Sequence, residues 1–187
     1  MVTSDGKAYK EAGIAVKKLA QKAPKAIDRA FKRTGQRLQT VAVQEVRKEY
    51  IIRAGDVRKY GNLRLTQKKD EIIFRSSGRN IPLIKFKTTP TRVVKRRPKV
   101  LKAAVKKHGE KKPISGAFVQ QMPNGNLGVY HRRRKGRLPI EQLYGPGVPI
   151  MLNAQKIRDK LQDEMTKKLE QRLEHELERV LKGAGFH

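Results

Sequence analysis

Apolar residues recur at helical spacing in two long segments, one near each end of the chain. Between residues 24 and 50 they follow steps of three, four and seven, which predicts an amphipathic helix with a proline in its first turn. A weaker pattern over residues 8–22 predicts an arm or a short helix. Residues 153–182 predict a second long helix, capped by Asn153 and stopped by the glycines that follow it.

Seven apolar residues of the C-terminal helix follow one another at steps of four: Ile157, Leu161, Met165, Leu169, Leu173, Leu177 and Leu181. At about 3.6 residues per turn, each step advances by roughly 40°, so the stripe winds around the helix. One flat surface cannot cover such a stripe. Either the helix crosses its own sheet, or its far end packs on a neighbouring subunit through Leu169, Leu173 and Leu177.

Between residues 61 and 133 the apolar period changes to two, which predicts β-strands. Residues 62–77 predict a hairpin with a polar turn at residues 67–70. Residues 81–87 predict a further short strand, and Pro82 favours an edge position for it because proline has no backbone N–H to donate.

Residues 117–133 predict a second hairpin, because the Asn124-Gly125 pair accepts the positive φ of a tight turn. Short links between consecutive strands leave no room for helical crossovers. The sequence therefore predicts an α+β fold with a mainly antiparallel sheet. The expected organisation is an N-terminal arm or short helix (1–23), a basic α+β body with an extended hairpin near 92–112 (24–152), and a C-terminal helix with a short tail (153–187).

Residues 138–150 contain three prolines and two glycines, which predicts a fixed, extended connector that continues as neither strand nor helix. Such a segment loses little entropy on docking, so its apolar side chains are candidate subunit contacts. These are Leu138, Ile140, Leu143, Tyr144 and Val148. In the alternative interpretation, the segment covers the edge of its own core. Glu141 stands alone among bases, and we expect it to pair with a nearby arginine.

The net charge of the 187-residue chain is +28, and it is unevenly distributed. Residues 153–187 hold 8 Lys/Arg and 7 Asp/Glu, a net of +1, so residues 1–152 carry the other +27. A free protein with this charge repels its own copies and binds polyanions, so we expect a negative partner, either nucleic acid or an acidic protein.

The cations cluster at residues 85–112 and 131–137. Few aromatic side chains accompany them, so any nucleic-acid contact is expected to be independent of base sequence. The alternative is that these residues form a solvated face. The candidate contacts to DNA or an acidic partner are Lys95, Arg96, Arg97, Lys99, Lys106, Lys107, Arg132, Arg133, Arg134, Lys135 and Arg137.

The sequence does not contain the common motifs for catalysis or metal binding. There is no Cys, and the four His are far apart. His175 begins a zinc-protease-like H-E-x-x pattern, but Arg179 stands where the second His is required. No phosphate-binding glycine loop or nucleophile elbow is present. We expect no enzymatic activity, no cofactor and no metal site. Nor is there an apolar stretch of membrane-spanning length or a signal-peptide core, so we expect a soluble protein made in the cytoplasm.

Two stretches resemble the phage minor tail protein Z, or tail completion protein, family of long-tailed bacteriophages and prophages. They are GRNIPLIKF (78–86) and ISGAFVQQMPNGNLGVYHRRRKGRLPIEQLYGPGVPIML (114–152). The order of basic N-terminal helix, β region and C-terminal helix agrees with this resemblance, which spans most of the chain. The first 20 residues and the Lys-rich 92–112 are less distinctive.

The resemblance implies a non-catalytic virion component at the head-proximal end of the tail, in the neck, which completes the tail for joining to the DNA-filled head. We expect a homo-oligomer, a ring of about six copies, that meets the tail terminator, tail tube and head-connector proteins, with possible non-specific contact to double-stranded DNA and no membrane contact. The alternative hypothesis is a freestanding, sequence-independent nucleic-acid-binding protein.

Overall fold

The computed structural model describes residues 5–68, 71–95, 100–134, 136 and 138–183. It has an α+β architecture in which long helices at the two ends of the chain flank short antiparallel strands, as the sequence predicts. The helices are α1 (Asp5–Glu49), α2 (Ala54–Gly61), a 3₁₀ turn (Leu83–Lys85), α3 (Val148–Leu152) and α4 (Gln155–Lys182). The strands are β1 (Leu63–Lys68), β2 (Glu71–Ser76), β3 (Ile81–Pro82), β4 (Lys87–Thr89), β5 (Leu101–Ala104), β6 (Lys112–Ile114), β7 (Ala117–Gln121), β8 (Leu127–Arg132), β9 (Ile140–Gln142) and β10 (Tyr144–Gly145).

Two compact units make up the chain, and each draws on more than one of the segments expected from the sequence. The first unit combines residues 1–39, 65–73 and 160–187. Its buried positions on α1 recur every four residues, at Ala26, Ala30, Thr34 and Leu38. Small side chains at that spacing allow close packing along one face of the helix. Leu65 of β1 lies against Gly35 of α1, at a place that a Cβ atom would occupy.

The second unit, residues 40–64 and 74–159, contains three small sheets. Strands β4, β5 and β6 form one antiparallel sheet, and β7, β8 and β9 form another. Strand β3 pairs with β10. Helices and strands of this unit both contribute buried apolar side chains. These include Val46, Val57, Ile81, Leu101, Val129, Val148, Met151 and Ile157.

Both predicted hairpins are confirmed. Strands β1 and β2 pair as a two-stranded sheet, with residues 69–70 of their turn outside the described residues. In the β7–β8 hairpin, Gly125 has a φ of 80°. Its N–H donates a hydrogen bond to the Met122 carbonyl at 2.8 Å, and the Asn126 N–H donates to Asn124 Oδ1 at 3.0 Å. The Asn-Gly turn therefore forms as its chemistry dictates.

Helix α1 is longer than the sequence predicts, because residues 8–22 are continuous with the helix expected from residue 24. Pro24 lies inside the helix rather than in its first turn. An interior proline removes one backbone hydrogen bond. The Ala, Lys, Leu and Gln residues around it all have high helix propensity, which offsets that loss.

The predicted strand at 81–87 is wrong in its middle, where the 3₁₀ turn replaces it. Leu83 begins this turn and Phe86 ends it, and the Phe86 N–H donates a hydrogen bond to the Leu83 carbonyl at 3.1 Å. Both are buried, at 6% and 5% exposure. A strand would place these two residues on opposite faces, so their shared burial fits the 3₁₀ turn.

The connector at 138–150 is also more regular than predicted, because it contains β9, β10 and α3. Its prolines separate these short elements: Pro139 precedes β9, Pro146 follows β10, and Pro149 lies in the first turn of α3. Asn153 then ends α3 rather than starting the long helix, so α4 begins at Gln155. Among the described residues, no helix has both the length and the hydropathy to cross a membrane.

Candidate interaction surfaces

The arginine cluster that sequence analysis singled out follows the β7–β8 hairpin. Arg132 is the last residue of β8, and its guanidinium lies 5.5 Å from the centre of the Phe118 ring. Arg133 Nε lies 2.9 Å from Glu141 Oε1 on β9, which confirms the expected pairing of this lone carboxylate. Arg134 is exposed. Lys135 and Arg137 lie outside the described residues.

A groove of about 920 Å³ beside this hairpin brings predicted cationic and apolar contacts together. We call it the hairpin groove; Val93, Phe118, Arg132, Leu138 and Ile140 line it together with residues 120–123. Leu138 is 70% exposed and Val93 is 45% exposed. This combination of an arginine and solvent-exposed apolar side chains is suited to protein contact.

The other predicted packing residues of the connector differ in accessibility. Leu143 is half-buried, and its backbone is bonded on both sides: its N–H donates to the Val129 carbonyl at 2.8 Å, and its carbonyl accepts from Leu83 at 2.9 Å. Tyr144 is 53% exposed and donates its hydroxyl to Gln142 Oε1 at 3.1 Å. Val148 is fully buried in its own unit against Gly61. For Val148, the interpretation as part of the protein's own core is therefore the correct one.

The predicted cluster at 95–107 divides between described and undescribed residues. Arg96, Arg97 and Lys99 lie outside the described residues, and Lys95 is exposed. Lys106 and Lys107 are exposed in the turn between β5 and β6. The structure does not bring this turn and the arginine cluster into one site, since Lys107 and Arg132 line different grooves.

A second basic surface, which sequence analysis missed, surrounds a cleft of about 850 Å³ in the second unit. Its walls come from the end of α1, the following loop, α2, the β3–β4 region, and the two turns near residues 107 and 126. We call it the basic cleft; the cations that line it are Arg47, Arg53, Lys59, Lys85, Lys87 and Lys107. Lys85, Lys87 and Lys107 belong to the cationic cluster that the sequence shows at residues 85–112, whereas Arg47, Arg53 and Lys59 lie far from it in the sequence. The linear sequence carries no signal that they meet.

The leucine stripe of α4 turns away from the buried face, as its four-residue period predicts. Ile157 and Leu161 are 1% and 9% exposed, whereas Leu177 is 41% exposed. Leu169 and Leu173 are intermediate. At the far end of the helix, Glu176 and Val180 occupy the buried positions instead.

Glu176 has a fully buried side chain surrounded by arginines of the first unit. Arg29 Nε donates a hydrogen bond to Oε2 at 2.8 Å, while Arg33 and Arg179 lie 3.4 and 3.9 Å from Oε1 without hydrogen-bond geometry. The Arg29 hydrogen bond and the neighbouring positive charges hold the pKa of Glu176 below its usual value, although burial opposes this shift. Glu176 thus holds α4 to α1. Among the described side chains, no group of three or more His, Asp or Glu is arranged to hold a metal ion.

Comparison with known families gives one match that covers nearly the whole chain. The family described as prophage minor tail protein Z (GPZ) matches residues 7–183. That range contains every contact residue described above. No curated protein and no solved structure gives a significant match to this chain.

Proposed function

Because the chain belongs to the prophage minor tail protein Z family, and so has a structural role in a phage tail, we propose that it completes the head-proximal end of that tail. In this position it prepares the tail for joining to the head and for the passage of DNA. The proposed role is non-catalytic and places the protein in the neck of the virion. The observation that carries the proposal is the match to the family over residues 7–183.

The charge supports a position inside a larger particle. Six copies in a ring would carry 6 × 28 = +168, and this charge requires anionic neighbours for the ring to be stable. Acidic tail or connector proteins account for at least part of the compensation, because a lumen that bound phosphate everywhere would slow the passage of DNA. DNA itself is the other source of negative charge.

The hairpin groove and the adjoining Arg132–Arg134 are the surface that we assign to a neighbouring subunit or tail protein. The exposed part of the connector, Leu138 and Tyr144, belongs to the same assignment, as do the outward leucines at the end of α4. Surfaces that combine exposed apolar residues with arginine are typical of protein interfaces. The copies in the proposed ring meet head to tail, since a ring requires two different surfaces on each subunit.

Replacing Arg132, Arg133 and Arg134 together by Ser tests this assignment. The fold should persist, because the exposed Arg133–Glu141 pair and the Arg132–Phe118 contact are each worth only about 0.2–1 kcal/mol at the surface. In phage carrying the triple variant, we expect normal amounts of folded protein but few joined particles, counted by electron microscopy and plaque assay. The matched control replaces three cations of the first unit, Lys17, Lys18 and Lys25, by Ser. A normal infectious yield from the arginine variant would remove this cluster from the mechanism.

The net charge also keeps a second function open, that of a freestanding protein that binds nucleic acid without sequence preference. This function predicts micromolar binding of the isolated protein to DNA, with an affinity that falls steeply as salt rises. It also predicts that tail partners are unnecessary. Co-purification of the protein with assembled tails at high salt, after nuclease treatment, decides for the tail role.

A further inference from the structure

We propose that the basic cleft binds an acidic polypeptide segment that also carries apolar side chains, supplied by a partner protein in the tail. The proposal names the partner chemistry for the tail role given above and rests on that role. Three properties of the cleft support this proposal: its charge, its apolar side chains, and the backbone hydrogen bonds that hold its walls in place.

Charge selects an anionic occupant. Among the described residues that line the cleft, six are Lys or Arg and one is acidic, a formal excess of 6 − 1 = +5. The acidic residue, Asp56, has Lys85 Nζ at 3.8 Å. Concave walls concentrate the field of such a cluster, so its attraction for an anion exceeds that of the same charges on a flat surface.

The apolar wall selects a polypeptide. Leu127 lines the cleft with 37% exposure, and Ile51, Pro82 and Ile84 line it as half-buried residues. Covering these side chains is favourable only if the occupant has apolar groups to bury. A segment with Asp or Glu beside Leu, Ile or Phe would contact both the cations and the apolar side chains of the cleft. The volume of about 850 Å³ lies within the range of about 300–1,000 Å³ that is typical of binding clefts.

Nucleic acid fits the cleft less well. Single-stranded nucleic acid binds through bases stacked on exposed aromatic faces. The Tyr50 and Phe86 rings of this cleft are buried, at 7% and 5% exposure, and Lys59 Nζ already lies 5.9 Å from the centre of the Tyr60 ring.

Backbone hydrogen bonds hold the walls of the cleft in place in the free protein. The Lys107 N–H donates to the Glu49 carbonyl at 2.9 Å, and the Ile51 N–H donates to the Val105 carbonyl at 2.8 Å. These bonds join the β5–β6 turn to the end of α1. A preformed site requires little ordering when its ligand binds, so more of the interaction energy appears as affinity.

The test measures binding of three fluorescein-labelled probes to the full-length protein by fluorescence anisotropy at about 150 mM salt, where long-range attraction is screened. The first probe is a 14-residue peptide with seven Glu and four Leu or Phe, the second has the same charge but Ser in place of the apolar residues, and the third is a 14-nucleotide single-stranded DNA. We expect the first probe to bind at least about tenfold more tightly than the other two, a difference of about 1.4 kcal/mol.

Two pairs of variants locate the site. Lys59→Gln with Lys107→Gln should weaken binding of the first peptide about tenfold, whereas the equal charge loss of Lys17→Gln with Lys25→Gln in the first unit should change it less than about twofold. Leu127→Ser should reduce the preference for the apolar peptide, and Leu138→Ser, which lies outside the cleft, should not. Circular dichroism confirms that each variant is folded.

Equal affinity for the two peptides would overturn the apolar part of the proposal, and equal or tighter binding of the DNA would reassign the cleft to nucleic acid. The same loss in both lysine pairs would show that the attraction is general to the protein surface and would overturn the site. All of these outcomes are independent of tail assembly. Failure of the cleft would therefore leave the proposed tail role standing, and failure of the triple-arginine test would not alter the peptide measurements.

Discussion

Gly145 in β10 is a position where a single added methyl group should disturb the second unit through one side-chain contact. A Cβ atom built on Gly145 lies 2.5 Å from Cε2 of Phe86 and 3.1 Å from two further atoms of that ring. The Phe86 ring is 5% exposed, so it has little free space into which to move. The φ of Gly145 is not in the positive region, and the substitution Gly145→Ala therefore acts through this steric contact rather than through backbone strain.

The size of the effect follows from the packing. Forcing an extra methyl group into a filled core costs about 1–3 kcal/mol. For a chain of this length, each kcal/mol lowers the thermal midpoint by about 2–4 °C, so a cost of about 2 kcal/mol corresponds to about 4–8 °C. Differential scanning calorimetry of the purified variant measures the change directly.

Two comparisons make the result specific to the Phe86 contact. Gly55→Ala adds the same methyl group to α2, where no atom lies within 4 Å, and should leave stability unchanged or raise it by about 0.5–1 kcal/mol. In a Phe86→Leu background, Gly145→Ala should cost less than it does in the wild type, with a coupling of about 0.5–3 kcal/mol. An unchanged midpoint for Gly145→Ala, or additive costs in the double variant, would refute the tight contact between β10 and this ring.

Two further predictions concern buried groups. Met151 is fully buried and Ile150 is 61% exposed, so Met151→Ala should cost about 2–5 kcal/mol in chemical denaturation and Ile150→Ala less than about 0.5 kcal/mol; similar costs would contradict the burial of α3. Because the folded-state pKa of Glu176 is lowered, its carboxylate stabilises the fold fully above the unfolded-state pKa of about 4.3, and this stabilisation disappears as pH falls through the lower folded-state pKa. Urea titrations from pH 7 to pH 3 should show the stability gap between the wild type and Glu176→Gln closing toward acid, and a gap that does not depend on pH would exclude the carboxylate as its source.

The sequence predicted those elements whose signal is local. The β7–β8 hairpin depends on one Asn-Gly turn, and the winding stripe of α4 depends only on its four-residue period; both are confirmed. The error at residues 81–87 has a physical origin, because the buried residues Leu83 and Phe86 are three positions apart, a spacing that suits a 3₁₀ turn and not one face of a strand. In the connector, proline density hid elements of two to five residues that tertiary pairing stabilises.

Among the candidate surfaces, the sequence could predict only those whose residues are adjacent in the chain. Arg132, Arg133 and Arg134 are adjacent in sequence, and so they stand out without a structure. The basic cleft joins cations of the 85–112 cluster to cations of α1, α2 and the loop between them, and no single window of sequence shows that these two groups meet. The burial of Val148 depends in the same way on its contact with Gly61, almost ninety positions earlier in the chain.

This difference between the two basic surfaces has a consequence for the order of events during morphogenesis. Adjacent arginines attract anions even when the chain is unfolded or misfolded. The basic cleft, in contrast, forms only when distant parts of the second unit are folded together. A partner that binds the cleft would therefore bind only correctly folded copies of the protein. Defective copies, which lack the cleft, would then be excluded from the assembled tail.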